Sequence, residues 1–187
     1  MHTPAWDANV LGAFGLALAD RLAAAAEPAG GATAAEALVA LAGTAAGGSI
    51  DGLARIVGLS HSGTVRLVDR LERDELLERR RGADQRSAAL VLTPAGRRLA
   101  GRVATRRNAE MLSVAALLTA GEQEALMRAA ERVMHELGVP PDAERRLCRL
   151  CDLDACQRGR GRCPVMAGRR HGSGRRRGAR GSGRPVE

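Results

Sequence analysis

The chain holds four cysteines, and all of them fall within sixteen residues: Cys148, Cys151, Cys156 and Cys163, in the stretch CRLCDLDACQRGRGRC. Their spacing is C-x2-C-x4-C-x6-C. Cys148 and Cys151 stand one helical turn apart, so both sulfurs can face one ion. Gly159 and Gly161 let the chain fold back toward Cys163, and Pro164 stiffens the exit. Three chemistries fit. Tetrahedral thiolate coordination suits structural zinc. Four cysteines ending in Cys-Pro also suit an iron–sulfur cluster. The third is a set of metal-free redox thiols. The arginines among them would offset the negative charge of either metal centre. His171 is not expected as a ligand, because it lies in a Gly-Arg stretch and four sulfurs already suffice.

Which chemistry is open depends on the compartment. The first arginine is Arg21, so the N-terminus lacks the basic region of a secretory leader. The apolar run VLGAFGLALA is about half the length a membrane span needs. The chain therefore reads as cytoplasmic, with no membrane partner, where clustered thiols favour a metal over disulfides. The C-x2-C-x4 opening is similar to a zinc knuckle, with cysteine as the third ligand and a longer last gap. Net charge is +8 over 187 residues, supplied by 29 arginines and no lysine. Codon bias accounts for such usage, so no arginine is functional merely for being one. Residues 157–187 hold ten arginines against one glutamate, and residues 1–156 nineteen against twenty acids. The tail is thus strongly cationic while the body is near neutral, and any nucleic-acid interface in the body has to come from local arrangement.

The elements that must position these groups follow from periodicity and caps. Leu11, Phe14, Leu18 and Leu22 repeat at helical spacing between Trp6 and about Ala26. Thr33 and Glu36 read as a capping box for a helix over 34–42. Ser49 caps a short helix with Ile50, Leu53, Ala54 and Val57 on one face. After Gly58, Ser60 caps another helix, in which Thr64, Leu67, Val68 and Leu71 face inward. Two short helices joined by a glycine-containing turn, the second with an arginine-bearing polar face, make a helix-turn-helix. LLERR and AALVL, around the polar tip RGADQRS, read as a β-hairpin placed as a wing. Thr93 and Pro94 open a helix of roughly 94–117. Thr119 and Glu122 form a capping box for the next, striped by Leu126, Ala130, Val133 and Leu137, and GVPP stops it. A short helix over 142–151 leads into the cysteines. From Gly168 the sequence has no apolar periodicity and is expected to be disordered. The fold class is mainly α with a small β-hairpin, a winged helix-turn-helix plus a helical dimerisation region.

The run LSHSGTVRLVDRLERDELLERRRGADQRSAALVLTPAG resembles the winged core of the MarR family of bacterial transcriptional regulators. The resemblance covers about residues 33–137. It rests on elements in order: Ser60 opening the recognition helix, RLVDRLE, the L-ER start of the wing, D-x-R-S at its tip, and LTPAG. It implies a homodimer joined by the first and last helices. It further implies recognition helices in successive major grooves of a palindrome, wing arginines in flanking minor grooves, and relief of repression by a small-molecule or redox effector. Gly63 departs from the family's usual Ala, Thr or Pro, and the cysteine segment and tail lie outside the shared core. The boundaries read as 1–32 dimerisation helix and linker, 33–97 DNA-binding domain, 98–147 dimerisation helices, 148–164 cysteine module and 165–187 Arg/Gly-rich tail.

Within this frame His61, Ser62, Thr64 and Arg66 are the candidates for base edges, with Arg66 suited to a guanine, and Ser60, which caps the helix, belongs to the same DNA-binding set. Arg79, Arg80 and Arg81 are phosphate candidates, Arg70 completes the DNA-binding set, and Arg86 is the choice for the minor groove, with Asp84 shaping the tip. Asp69, Glu72 and Glu75 are expected to orient Arg66, Arg70 and Arg73. The reading is a sequence-specific DNA-binding transcriptional regulator, a homodimeric repressor in type, with a cysteine metal or redox site. A thiol/disulfide redox enzyme built on CRLC would need a βαβ setting, and the expected strands are only the hairpin's. A zinc-dependent protein-interaction module is the other alternative. No catalytic constellation is expected.

Overall fold

Thr3 starts the first helix by accepting the Trp6 amide proton, and Pro4 occupies the first helical position, where a missing N–H costs nothing. The resulting helix α1 spans Pro4–Ala25. The computed structural model describes residues 3–43, 48–81, 88–137, 144–152, 156, 163 and 165. The wing tip with Asp84 and Arg86, the GVPP stop and the arginine-rich tail lie outside them. At 22 residues α1 is twice the length of the apolar run, with a mean hydropathy of 1.2 over its best window. It is long and apolar enough to cross a membrane by length and composition alone, which corrects the shorter expectation. Here it packs along a later helix, and Arg21 pairs with Glu110 at 3.2 Å.

A 3-10 turn, Glu27–Ala29, leads to α2, Ala32–Ala42. The expected capping box is not formed. Gly31 is the N-cap, Thr33 lies inside the first turn, and Glu36 pairs with Arg149 at 2.7 Å. A distant arginine outcompetes the local amide because it offers a full charge at a site where Glu36 is only 12% exposed.

The helix-turn-helix is as read. Ser49 accepts from the Gly52 amide to cap α3, Ile50–Val57, and Ser60 accepts from the Gly63 amide to cap α4, His61–Arg73. Gly58 between them has φ 71°, a left-handed conformation that closes the turn. Leu53, Thr64, Val68 and Leu71 are buried where the two helices cross. Glu75, at φ 56°, then swings the chain into β1, Leu77–Arg81, which pairs antiparallel with β2, Ala88–Leu92, in the register Leu77 opposite Leu92. Sequence reasoning missed a third contribution to this sheet: Gly48 bridges Leu90, accepting from its amide at 2.7 Å and donating to its carbonyl at 3.1 Å.

Thr93 accepts from the Gly96 amide and begins α5, Pro94–Ala115. Glycine is required at 96, because a Cβ there would lie 1.9 Å from the Leu76 carbonyl oxygen. The capping box before α6, Ala120–Leu137, is complete: Thr119 N–H and O–H both donate to the Glu122 carboxylate, and the Glu122 amide donates back to the Thr119 hydroxyl oxygen. The last helix, α7, is only Glu144–Leu147, shorter than expected, because the chain turns at Cys148–Leu150.

One core unites α2, α3, α4, the hairpin and the first half of α5. Leu38, Leu53, Leu71, Leu77, Leu90 and Val103 are fully buried in it. Each such leucine stabilises the lobe by about 2 kcal/mol relative to exposure. By contrast, Leu11, Leu16, Leu112, Leu117, Met127 and Val133 of α1, α5, the α5–α6 turn and α6 are exposed in the single chain.

Candidate nucleic-acid interface and cysteine segment

The apolar side of α4 is spent on the core, which leaves His61, Ser62, Arg66, Arg70 and Arg73 on the exposed side. Ser60 serves as the cap and its hydroxyl lies 3.3 Å from that of Ser62, so both oxygens sit at the positive end of the helix. His61 Nδ1 is 2.7 Å from Asp51 Oδ1, which ties the start of α4 to α3 while leaving both side chains more than half exposed.

Two expected contacts change. Thr64 is fully buried, and its hydroxyl donates to the Ser60 carbonyl at 2.9 Å. It belongs to the core and cannot reach a base edge. Arg79 is held by both Asp69, at 2.6 Å, and Glu72, while its own amide donates to Glu72 at 3.3 Å. The hydrogen bond to Asp69, with the charge of Glu72, raises its pKa above the ordinary arginine value. Asp69 and Glu72 therefore clamp the wing to the recognition helix, where they were expected to orient Arg66, Arg70 and Arg73. Arg79 is a structural residue. Arg80 pairs with its neighbour Glu78 yet is well exposed, and Arg81 is exposed at the end of β1. Arg66, Arg70 and Arg73 of α4 and Arg80 and Arg81 of β1 are thus all exposed, while Arg86 falls outside the described residues.

The cysteine segment returns to this same lobe. The Cys151 amide donates to the Cys148 carbonyl at 3.0 Å, closing a turn that brings the two thiols into hydrogen-bonding contact. That bond from Cys148, together with the nearby Arg107 charge, holds Cys151 at about 6 despite its partial burial. Cys163 is buried beside Val165, and both Cys148 and Met134 of α6 pack on that pair. Cys156 is half-buried. All four cysteines are free thiols, and among the described residues no three His, Cys, Asp or Glu side chains stand together as a finished metal site. The spacing is consistent with thiolate coordination, and the turn at Cys148–Cys151 supplies two donors to one point.

Contacts from the segment to the lobe were not legible in the sequence. Arg149 reaches Glu36 of α2, and the Arg146 guanidinium lies against Gly58, where a Cβ would stand 2.8 Å from it. Leu150 packs on the lobe's core. Asn108 of α5 donates to Asp152 at 2.7 Å. None of these pairs shares a local motif, so only the folded chain reveals them.

No protein-family model matches the chain, and no curated protein matches it. Solved structures do. A MarR-family protein of Mycobacterium tuberculosis is 26% identical, with a TM-score of 0.56, over 67% of this chain and 91% of its own. The CouR protein of Rhodococcus jostii, solved with p-coumaroyl-CoA bound, is 25% identical, with a TM-score of 0.54, over 66% of this chain and 88% of its own. MarR itself from E. coli, at 18% identity and a TM-score of 0.55, covers 67% of this chain and 95% of its own and attests the fold alone. The chain has the winged helix-turn-helix fold of these MarR-family transcriptional regulators.

Proposed function

We propose that this chain, built on the MarR-type winged helix, is a sequence-specific DNA-binding transcriptional regulator that acts as a homodimeric repressor. The observation that carries this reading is the exposed face of α4. His61, Ser62 and Arg66 project from its first two turns, with Arg70 beyond them and Arg80 and Arg81 of the wing alongside. A helix end presenting donors, flanked by arginines, fits a major groove between two phosphate strands. In this reading Arg66 reads a base edge, Arg70, Arg80 and Arg81 position the protein on phosphates, and Arg86 enters the minor groove. The dimer forms through α1 and α6, whose apolar residues a single chain leaves exposed. The protein works in the cytoplasm, and its effector is a small molecule or a redox species. Salicylic acid and p-coumaroyl-CoA, bound by two of the similar proteins, are the first effector candidates to try.

A redox-enzyme reading of the cysteines finds no βαβ unit among the described residues, where the sheet is one antiparallel hairpin with a bridge. The test is titration of the full chain against DNA from its own promoter region and against random DNA of equal length. Tighter binding to the promoter DNA, with protection of a pseudo-palindrome, is expected. Equal affinity for both would overturn sequence-specific regulation.

A further inference from the structure

We propose that Cys148, Cys151, Cys156 and Cys163 form a tetrathiolate metal centre, of the zinc class, whose loading clasps the C-terminal segment onto the DNA-binding lobe and so sets its competence for DNA. The regulatory half of this proposal rests on the DNA-binding reading above, while the metal half does not.

The metal half begins with the turn at Cys148–Cys151, which places two sulfurs at one point. Cys148 also packs on the buried Cys163–Val165 pair, which brings the far end of the cysteine run back to the neighbourhood of this turn, although no three ligands yet converge among the described residues. All four are free thiols, and one tetrahedral ion would use all four as ligands. Each thiol that binds releases its proton to solvent, and the resulting anionic centre lies among cations. Arg107 of α5 acts on Cys151, and its buried Nε has no hydrogen-bond partner among the described residues. Arg146 and Arg149 come from the segment itself. Loading the ion requires Cys156 and Cys163 to close on the Cys148–Cys151 pair, so metal affinity becomes folding free energy of this segment.

The regulatory half follows from where the segment rests. Its contacts span the parts that have to hold still for the recognition helix to engage a groove. Arg149 grips α2 through Glu36, Arg146 covers the Gly58 turn between α3 and α4, Leu150 packs against the lobe's core, and Asp152 accepts from Asn108 on α5. A clasp joining α2, the helix-turn-helix and α5 couples the cysteine centre to DNA affinity, because stripping the ion releases contacts on both sides of the lobe.

The full-length protein, purified without oxygen, is analysed for metal and then reloaded with cobalt(II) as a probe. One equivalent of zinc per chain and an intense thiolate–cobalt absorption are expected, both lost in Cys151→Ser. Iron with sulfide and a brown colour would also uphold a tetrathiolate centre, identifying its occupant as a cluster. Protein with four titratable thiols that takes up neither zinc, cobalt nor iron would overturn the proposal. Amide exchange across α3 should quicken about tenfold on chelation, the middle of the usual coupling range. Glu36→Gln should quicken it similarly while keeping the cobalt band, because it breaks the docking and spares the ligands. Unchanged exchange on chelation would sink the clasp. Promoter-DNA affinity should fall by a similar factor in both cases. If metal and exchange behave as expected but no state binds DNA specifically, the clasp stands and the DNA-binding reading fails.

Discussion

Arg66 and Arg79 are chemically alike, yet the fold gives them opposite tasks. Arg66 stands exposed on α4, and its replacement by alanine should cost about 1–3 kcal/mol of discrimination between promoter and random DNA. Arg80→Ala should instead weaken both by a similar factor and flatten the salt dependence, as expected of a phosphate contact. Fluorescence anisotropy at several salt concentrations separates the two outcomes. Arg79→Ala should leave the specificity ratio intact and lower unfolding stability by roughly 1 kcal/mol or less. The cost is small because both carboxylates it holds are more than a third exposed. Urea denaturation measures it. A sequence shows that arginines and acids alternate here. It does not show that Asp69 and Glu72, on α4, point across to β1, because that choice is made by the angle between helix and hairpin. Thr64 was legible to the extent that its spacing matches Leu67, Val68 and Leu71 on the inner face, and its burial follows from that spacing.

At the scale of elements, caps and periodicity located most of the fold. Ser49, Ser60, Thr93 and Thr119 all cap where their sequence context places them, since each is a short-range contact with an amide three residues ahead. Thr33 and Glu36 failed for the complementary reason: Gly31 turned the chain earlier and a partner 113 positions away (149 minus 36) took the glutamate. The Gly48 bridge escaped notice because a single bridging residue leaves no alternation to read. Two glycines are strict. Gly96→Ala should destabilise by about 3 kcal/mol or more, because its methyl group would collide with backbone that cannot yield. Gly58→Ala should cost about 1–2 kcal/mol from its left-handed backbone, plus the displacement of Arg146. Thermal unfolding of Gly58→Ala with and without Arg146→Ala separates the two costs, because only the clash disappears when Arg146 is shortened.

The whole molecule poses a question that the single chain leaves in view on its surface. Leu11, Leu112 and Val133 of α1, α5 and α6, and Leu117 of the α5–α6 turn, are each at least half exposed. Light scattering should give twice the 19.6 kDa chain mass. Leu11→Arg combined with Val133→Arg should yield a folded monomer by circular dichroism, with promoter affinity reduced toward that for random DNA. A wild-type monomer at micromolar concentration would remove the dimer from the account. The Arg149–Glu36 contact has a further consequence, for the order in which the protein is made. The lobe's own contacts close within about the first two thirds of the chain, whereas this one waits until residue 149 has left the ribosome. Contacts so far apart in sequence form late and slowly. A nascent chain therefore passes through a stage in which α4 is folded while the Arg149–Glu36 contact is still absent.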